Sequence, residues 1–245
     1  MLNSQNKIAL LFHRIVKDEI YENKLFEDVS LNIFNKILLY LEISEKNFSS
    51  KNKYNYVFTF DDGHESDYST VFPRLIEKNF ETIFFIVPNL IGTKNYLNWD
   101  MVLEMSNHNM KIGSHSMSHK NMRLLNENKL FEELFQSKNL IEQKIGKEVV
   151  DFSYPYGYFN KYTNKQAIKS GYTNIFTSNH GVINNNSSLN PRNSIHSKST
   201  FIGIKKILEA SDQTRIKWKI EDYVKSNLKL FLNDKLYKKI RNLIL

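Results

Sequence analysis

Tyr56-Val57-Phe58-Thr59-Phe60-Asp61-Asp62-Gly63 is the stretch whose reading decides the fold. Its first five residues are all β-branched or aromatic, the composition of a buried strand. The strand runs straight into two carboxylates and a glycine. Carboxylates at the mouth of a buried strand lose water that a partner must replace. An acidic turn after any strand would look the same, so the rest of the chain has to say whether these acids work.

Outward from this stretch, strands and helices alternate. Upstream, residues 7–12 read as a short strand ending at His13, and Phe26, Val29, Ile33, Phe34, Ile37, Leu38 and Leu41 recur at helical spacing. Residues 44–55 are polar and loop-like. Downstream come a helix over 69–79, an apolar strand over 82–87 stopped by Pro88, a helix over 98–108 and a strand over 110–112. An amphipathic helix over 126–145 precedes a strand at 149–152, which ends at Tyr154-Pro155-Tyr156-Gly157. A helix at 160–170, a strand at 172–177 and a polar loop at 184–190 follow. Such alternation predicts parallel βαβ units. In barrels built this way the chemistry sits at the C-terminal strand ends, and 245 residues suit one such domain.

A second stretch, Gly113-Ser114-His115-Ser116-Met117-Ser118-His119, carries two of the seven histidines. Read as a helical turn, i and i+4 bring both imidazoles over one ion, with Gly113 turning the backbone just before them. Two imidazoles and one carboxylate make a hydrolytic zinc site with a position left for water, and a second carboxylate then stays available as a base. With no cysteine in the chain, disulfides, zinc-thiolate sites and cysteine nucleophiles are excluded.

In order and spacing, Thr59-Phe60-Asp61-Asp62-Gly63, His115-Ser116-Met117-Ser118-His119 and Tyr154-Pro155-Tyr156-Gly157 resemble the successive motifs of the polysaccharide deacetylases, the NodB-homology enzymes of carbohydrate esterase family four. Trp99 and Gly113 also stand where that family tends to have such residues, and the resemblance covers roughly residues 8–196. It implies a distorted (β/α) barrel with a divalent metal, most often zinc, that removes acetyl groups from N-acetylated sugars. Asp62, His115 and His119 are then the metal ligands and Asp61 the general base. The backbone N–H of Tyr156 would hold the oxyanion, and its ring would line the sugar groove.

The sequence departs from the pattern in two places. Many relatives carry an arginine two residues before the Pro-Tyr-Gly turn, where it holds the catalytic Asp, and this chain has Ser153 there. The motif supplying an acid to orient the general-acid histidine is not recognisable either. Pro191-Arg192-Asn193-Ser194-Ile195-His196 partly resembles the family's late motif, making His196 the expected general acid and Arg192 the expected substitute at Asp61. His13 is a rim or structural residue, His64 faces solvent or substrate, and His108 and His180 fall in loops with no role assigned. These departures keep a catalytically impaired glycan-binding protein in play. An iron oxygenase is disfavoured because no histidine has an acid two residues on.

The net charge of +8 is concentrated in the tail, where residues 216–245 hold eight Lys/Arg against Glu221, Asp222 and Asp234. A nucleic-acid enzyme would spread that charge around its site, so no nucleic-acid partner is expected. The division expected is a deacetylase domain over 1–212 and a basic amphipathic helix over 213–245. Val224, Leu228, Leu232, Leu236, Ile240 and Leu243 form that helix's apolar stripe. It either packs on the barrel or a second subunit, or lies on an anionic membrane. The apolar run at 8–12 is too short for a signal-peptide core, and no stretch approaches the roughly 18–20 apolar residues of a spanning helix. A cytoplasmic location is therefore expected, peripheral on the inner membrane face if the tail binds there. The substrate then reads as an N-acetylated sugar, nucleotide-sugar or lipid-linked glycan.

Overall fold

The computed structural model describes residues 6–46, 54–78, 80–184, 187–231 and 236. Its elements in chain order are β1 (Lys7–Phe12), β2 (Arg14–Val16), β3 (Asp28–Ser30), α1 (Leu31–Lys46), β4 (Asn55–Asp62), α2 (Phe72–Leu75) and β5 (Glu81–Ile86). Then follow α3 (Trp99–Asn107), β6 (Lys111–Ser114), α4 (Glu127–Phe131), α5 (Ser137–Ile145), β7 (Asp151–Ser153), α6 (Lys161–Lys169) and β8 (Asn174–Phe176). The short strands β9 (Leu189–Asn190) and β10 (Asn193–Ser194) lead to α7 (Phe201–Glu209) and α8 (Asp212–Phe231).

Eight strands form one sheet in the order β10-β1-β4-β5-β6-β7-β8-β9, every neighbour parallel. Only Pro191 and Arg192 separate β9 from β10, yet these two strands pair on opposite edges of the sheet. The sheet therefore curls until its edges meet at Pro191-Arg192, and the chain rather than a hydrogen-bond ladder closes the barrel. Strand alternation sorts the side chains into two layers. Val57, Ile83 and Phe85 cluster with Ala9 and Phe176 inside, while Phe58, Phe60, Phe84 and Ile86 join the larger core. In that larger core, Phe60 stacks on Phe12 and Phe84 with ring centroids 5.2 and 5.0 Å apart. At the N-terminal strand ends, Glu81 pairs with both Lys7 and Lys111 at 2.6 Å, so that mouth is occupied by charge pairs.

Several local expectations change. The helix expected from residue 26 begins at Leu31, because 28–30 form β3 against β2. The helix expected over 69–79 is a π turn, Asp67–Val71, running into α2. A second π turn, Glu132–Gln136, interrupts the helix expected over 126–145. Strands β9 and β10 and helix α7 carried too few residues or too little turn signal to be foreseen. Gly113 lies within β6 rather than at a turn. A Cβ there would stand 2.5 Å from the Phe85 ring and 3.0 Å from the Asp151 carbonyl oxygen, so close packing requires the glycine.

The tail helix α8 is held from one side. Trp218 is only 5% exposed and belongs to the main core, whereas Ile216, Ile220, Tyr223 and Val224 are exposed. Leu236 is exposed as well; Leu232, Ile240 and Leu243 of the expected stripe, with Lys235, Lys238, Lys239 and Arg241, lie outside the described residues. Among the described residues, no helix is long and apolar enough to cross a membrane.

Candidate active site

A cavity of about 450 Å³ opens at the C-terminal strand ends and is lined by Asp61, Asp62, His115, His119, Tyr156 and Arg192, among others. Successive strand residues point to opposite faces, so Asp61 and Asp62 should diverge. They share the cavity because Asp62 leaves the extended conformation, at φ 79°, just before Gly63 at φ 76°. Aspartate is among the few L-residues that tolerate that region.

The histidines converge by a different route from the helical turn expected. His115 directly follows β6, and residues 115–119 form a loop in which Ser116 (φ 66°) and His119 (φ 56°) are left-handed. His115 Nδ1 donates to the carbonyl oxygen of Ser153 at 2.8 Å, which leaves Nε2 as its lone-pair nitrogen. That Nε2 lies 3.6 Å from Asp62 Oδ1, and His119 Nε2 lies 3.3 Å from the same oxygen. One donor atom from each of Asp62, His115 and His119 falls within 4.8 Å of the others. Asp62 Oδ1 is buried and has no hydrogen-bond partner among the described residues. An orphaned carboxylate oxygen facing two imidazole nitrogens fits a divalent cation such as zinc.

The electrostatics match. Burial opposes the charge on Asp62, but a hydrogen bond to His64 and the nearby His13, His115 and His119 hold its carboxyl well below the usual range. Burial, reinforced by His115, pushes His119 down to about 4, so its ring is neutral and able to ligate near neutral pH. Asp67, behind the site, is fully buried with neither oxygen hydrogen-bonded among the described residues, and burial pushes its carboxyl well up.

Arg192 enters the barrel from the β9–β10 junction and is 1% exposed. Its Nη1 and Nη2 donate to the two oxygens of Asp61 at 2.6 and 2.8 Å. Nη2 also donates to Ser153 Oγ (2.6 Å), Nη1 to Thr59 Oγ1 (3.3 Å) and Nε to the Thr177 carbonyl oxygen (3.1 Å). All five guanidinium donors are thus used. Burial alone would raise Asp61, but Arg192 and His115 hold it ionised, below its usual range. Ser153 leaves room for this arginine and donates to Asp61 at 3.3 Å.

Tyr156, at φ 58°, and Gly157, at φ 63°, make the turn after β7, and the Tyr156 ring meets His119 edge-on at 4.4 Å. His196 stacks on Phe26 at 4.4 Å, and its Nδ1 accepts from the backbone N–H of Lys198 at 3.3 Å. His13 is half-buried, lines the cavity, and is pushed down by loss of water around it; its Nδ1 is buried and has no hydrogen-bond partner among the described residues. His64 stacks on Tyr96, and His108 lies at the C-terminal end of α3, outside the cavity lining.

His180 is the residue the sequence reading passed over. It lines the cavity, where Asp222 of α8 accepts from its backbone N–H (2.8 Å) and engages its Nδ1 (2.9 Å). Trp218 stacks alongside, and Lys225 Nζ lies 3.2 Å from Nδ1. No sequence signal ties residue 180 to residue 222; packing of α8 makes the pair.

Comparison with known proteins bears on family and fold. A sequence model described as "Polysaccharide deacetylase" matches residues 49–175. A Bacillus subtilis protein named "Putative polysaccharide deacetylase YxkH" is 31% identical over 116 residues, covering 47% of this chain and 42% of its own. An uncharacterized 30.6 kDa protein of Geobacillus stearothermophilus is 30% identical over 122 residues, 49% of this chain and 44% of that one. Each match thus spans less than half the length of the curated relative. Among solved structures, the Streptococcus pyogenes deacetylase PplD superposes with TM-score 0.70 at 19% identity, covering 83% of this chain and 98% of that one. A de-N-acetylase of Aggregatibacter actinomycetemcomitans gives TM-score 0.70 at 22% identity over 82% and 99%. At those identities the likeness is one of fold.

Proposed function

The chain belongs to the polysaccharide deacetylase family, and from that premise we propose that it is a metal-dependent hydrolase removing N-acetyl groups from an acetylated sugar. The observation that carries the reading is the meeting of Asp62, His115 and His119 beside the ionised Asp61. Asp62, His115 and His119 would hold the cation. When bound, such an ion acidifies water and polarises a carbonyl oxygen.

The protein's own groups would do the rest. Asp61 takes a proton from the attacking water. Arg192 lowers its basicity but fixes both oxygens, so orientation is what this pairing contributes. The Tyr156 backbone N–H stabilises the developing oxyanion, while its ring flanks the sugar beside His119. His196 protonates the departing amine as an imidazolium, becoming the neutral imidazole as the proton leaves. A second reading gives that role to His180, because Asp222 orients its ring as an acid orients a catalytic histidine.

We read the substrate as a nucleotide-sugar or lipid-linked glycan of surface polysaccharide or glycolipid assembly. In that reading the protein is cytoplasmic and touches the inner membrane face through α8. The exposed Ile216, Ile220 and Tyr223, with exposed Lys217 and Lys219 between them, support this. The test is acetate release from N-acetylated sugars by the purified protein, before and after chelation and after adding back zinc. Release that chelation leaves untouched, or no release from any N-acetylated sugar with zinc bound, would overturn the reading.

A further inference from the structure

Each histidine of the metal centre is preceded by a serine, and both serines are tied to one interrupted helix. Ser114 Oγ lies 2.8 Å from Ser137 Oγ at the start of α5. Ser118 is held twice by Glu133: its backbone N–H donates to Oε2 at 2.8 Å, and its Oγ–H donates to Oε1. The Glu133 carbonyl oxygen also accepts from the Met117 N–H at 3.1 Å. Glu133 is 5% exposed, with Lys120 Nζ 3.7 Å from Oε1. It lies in the π turn Glu132–Gln136, the kind of helical irregularity that recurs at functional sites.

The loop needs such a tether. Ser116 and His119 both adopt left-handed backbone, which L-residues with a Cβ resist, so the conformation persists only where its surroundings impose it. Ser116 helps from within, accepting from the His119 N–H at 3.0 Å. A carboxylate taken out of water must in turn be met by donors, and Ser118 supplies two.

We propose that Glu133 is a positioning residue of the metal centre: its buried carboxylate fixes Ser118, and through it aims His119 at Asp62. The inference rests on the metal reading above. Groups that orient metal ligands typically change metal affinity by about 10–100-fold when removed.

The test compares full-length wild type, Glu133→Ala, Glu133→Gln and Glu142→Ala. Glu142 lies on α5, accepts from Lys138 and the Val149 N–H, and touches none of the ligands, so it controls for simple damage to the helix. Metal-free proteins are titrated with zinc against a chromophoric chelator, and their melting temperatures are recorded without metal. Glu133→Ala should weaken zinc binding about 10–100-fold, and Glu133→Gln less, since its amide oxygen can still accept one bond. Glu142→Ala should lower the melting temperature yet keep wild-type affinity. Wild-type affinity in Glu133→Ala overturns the proposal, and so does equal weakening by Glu142→Ala. If Glu133→Ala does not fold, Glu133→Gln decides by the same criteria. A wild-type protein that binds no zinc removes the metal reading itself, an outcome distinct from unchanged affinity in the variants.

Discussion

The two sides of the cavity are built differently. One side comes from β4, β6, β7 and the turns after them, where Asp61-Asp62, His115–His119 and Tyr156 each leave the end of a strand. Neighbouring strands in a parallel sheet bring their C-terminal ends together, so residues at those ends meet wherever the strands pair. The other side comes from the β8–β9 and β9–β10 connections, the segment after β10, and α8, which supply His180, Arg192, His196 and Lys225, with Asp222 of α8 holding His180. Those residues lie outside the 49–175 match and meet only when the sheet curls and α8 docks. The first side can be read as motifs; the second is assembled by closure of the fold.

The largest effect that separates the two sides concerns the proton. Asp61→Asn should keep metal and lose about 10²–10⁴-fold in deacetylation rate, the usual weight of a general base. Loss of metal in Asp61→Asn but not in Asp62→Asn would show the two roles exchanged. On the closure side, His196→Ala should lose a similar factor and His180→Ala less. Wild-type turnover in His196→Ala beside collapse in His180→Ala would hand the acid role to the histidine held by Asp222.

Next comes the buried pair. Arg192→Ala strands the Asp61 carboxylate inside the barrel, and breaking such a pair costs about 3–5 kcal/mol. Urea denaturation should show that loss, and adding Ser153→Arg in the Arg192→Ala background should recover part of it. Unfolding of Arg192→Ala at the wild-type urea concentration would mean that Asp61 does not depend on the arginine.

The smallest effect is at the surface of α8. Reversing Lys217 and Lys219 to glutamate should weaken sedimentation with anionic vesicles at low salt, each basic residue near such a surface being worth about 1 kcal/mol. The Lys217–Glu221 pair, at 3.4 Å and with the lysine largely exposed, contributes little to folding, so the melting temperature should hold. Wild-type protein that ignores anionic vesicles removes the membrane contact from the proposal.

Legibility followed the range of the interactions involved. The strands at 7–12, 56–60 and 82–87 were visible because β-branched and aromatic runs report burial locally. The π turns at 67–71 and 132–136 were not, since a five-residue repeat inside an apolar helical pattern leaves no compositional trace. The histidine spacing did point to one cluster, though through a helical turn that does not exist; the loop reaches the same convergence with two left-handed residues and Glu133.

By itself, the sequence determined that strands would alternate with helices, that Asp61, Asp62, His115 and His119 would stand at strand ends, and that the usual arginine was absent before the Pro-Tyr-Gly turn. The first two are consequences of local composition and short spacing; the third is legible only against the motifs of the family the chain resembles. The sequence also offered Arg192, 131 residues from Asp61, as the substitute arginine; only the tertiary structure decided how its donors divide among Asp61, Ser153, Thr59 and Thr177, and that Asp222 grips His180 across 42 residues. The reason is physical: a buried guanidinium must find acceptors for all of its donors, and where those acceptors lie depends on how the sheet closes.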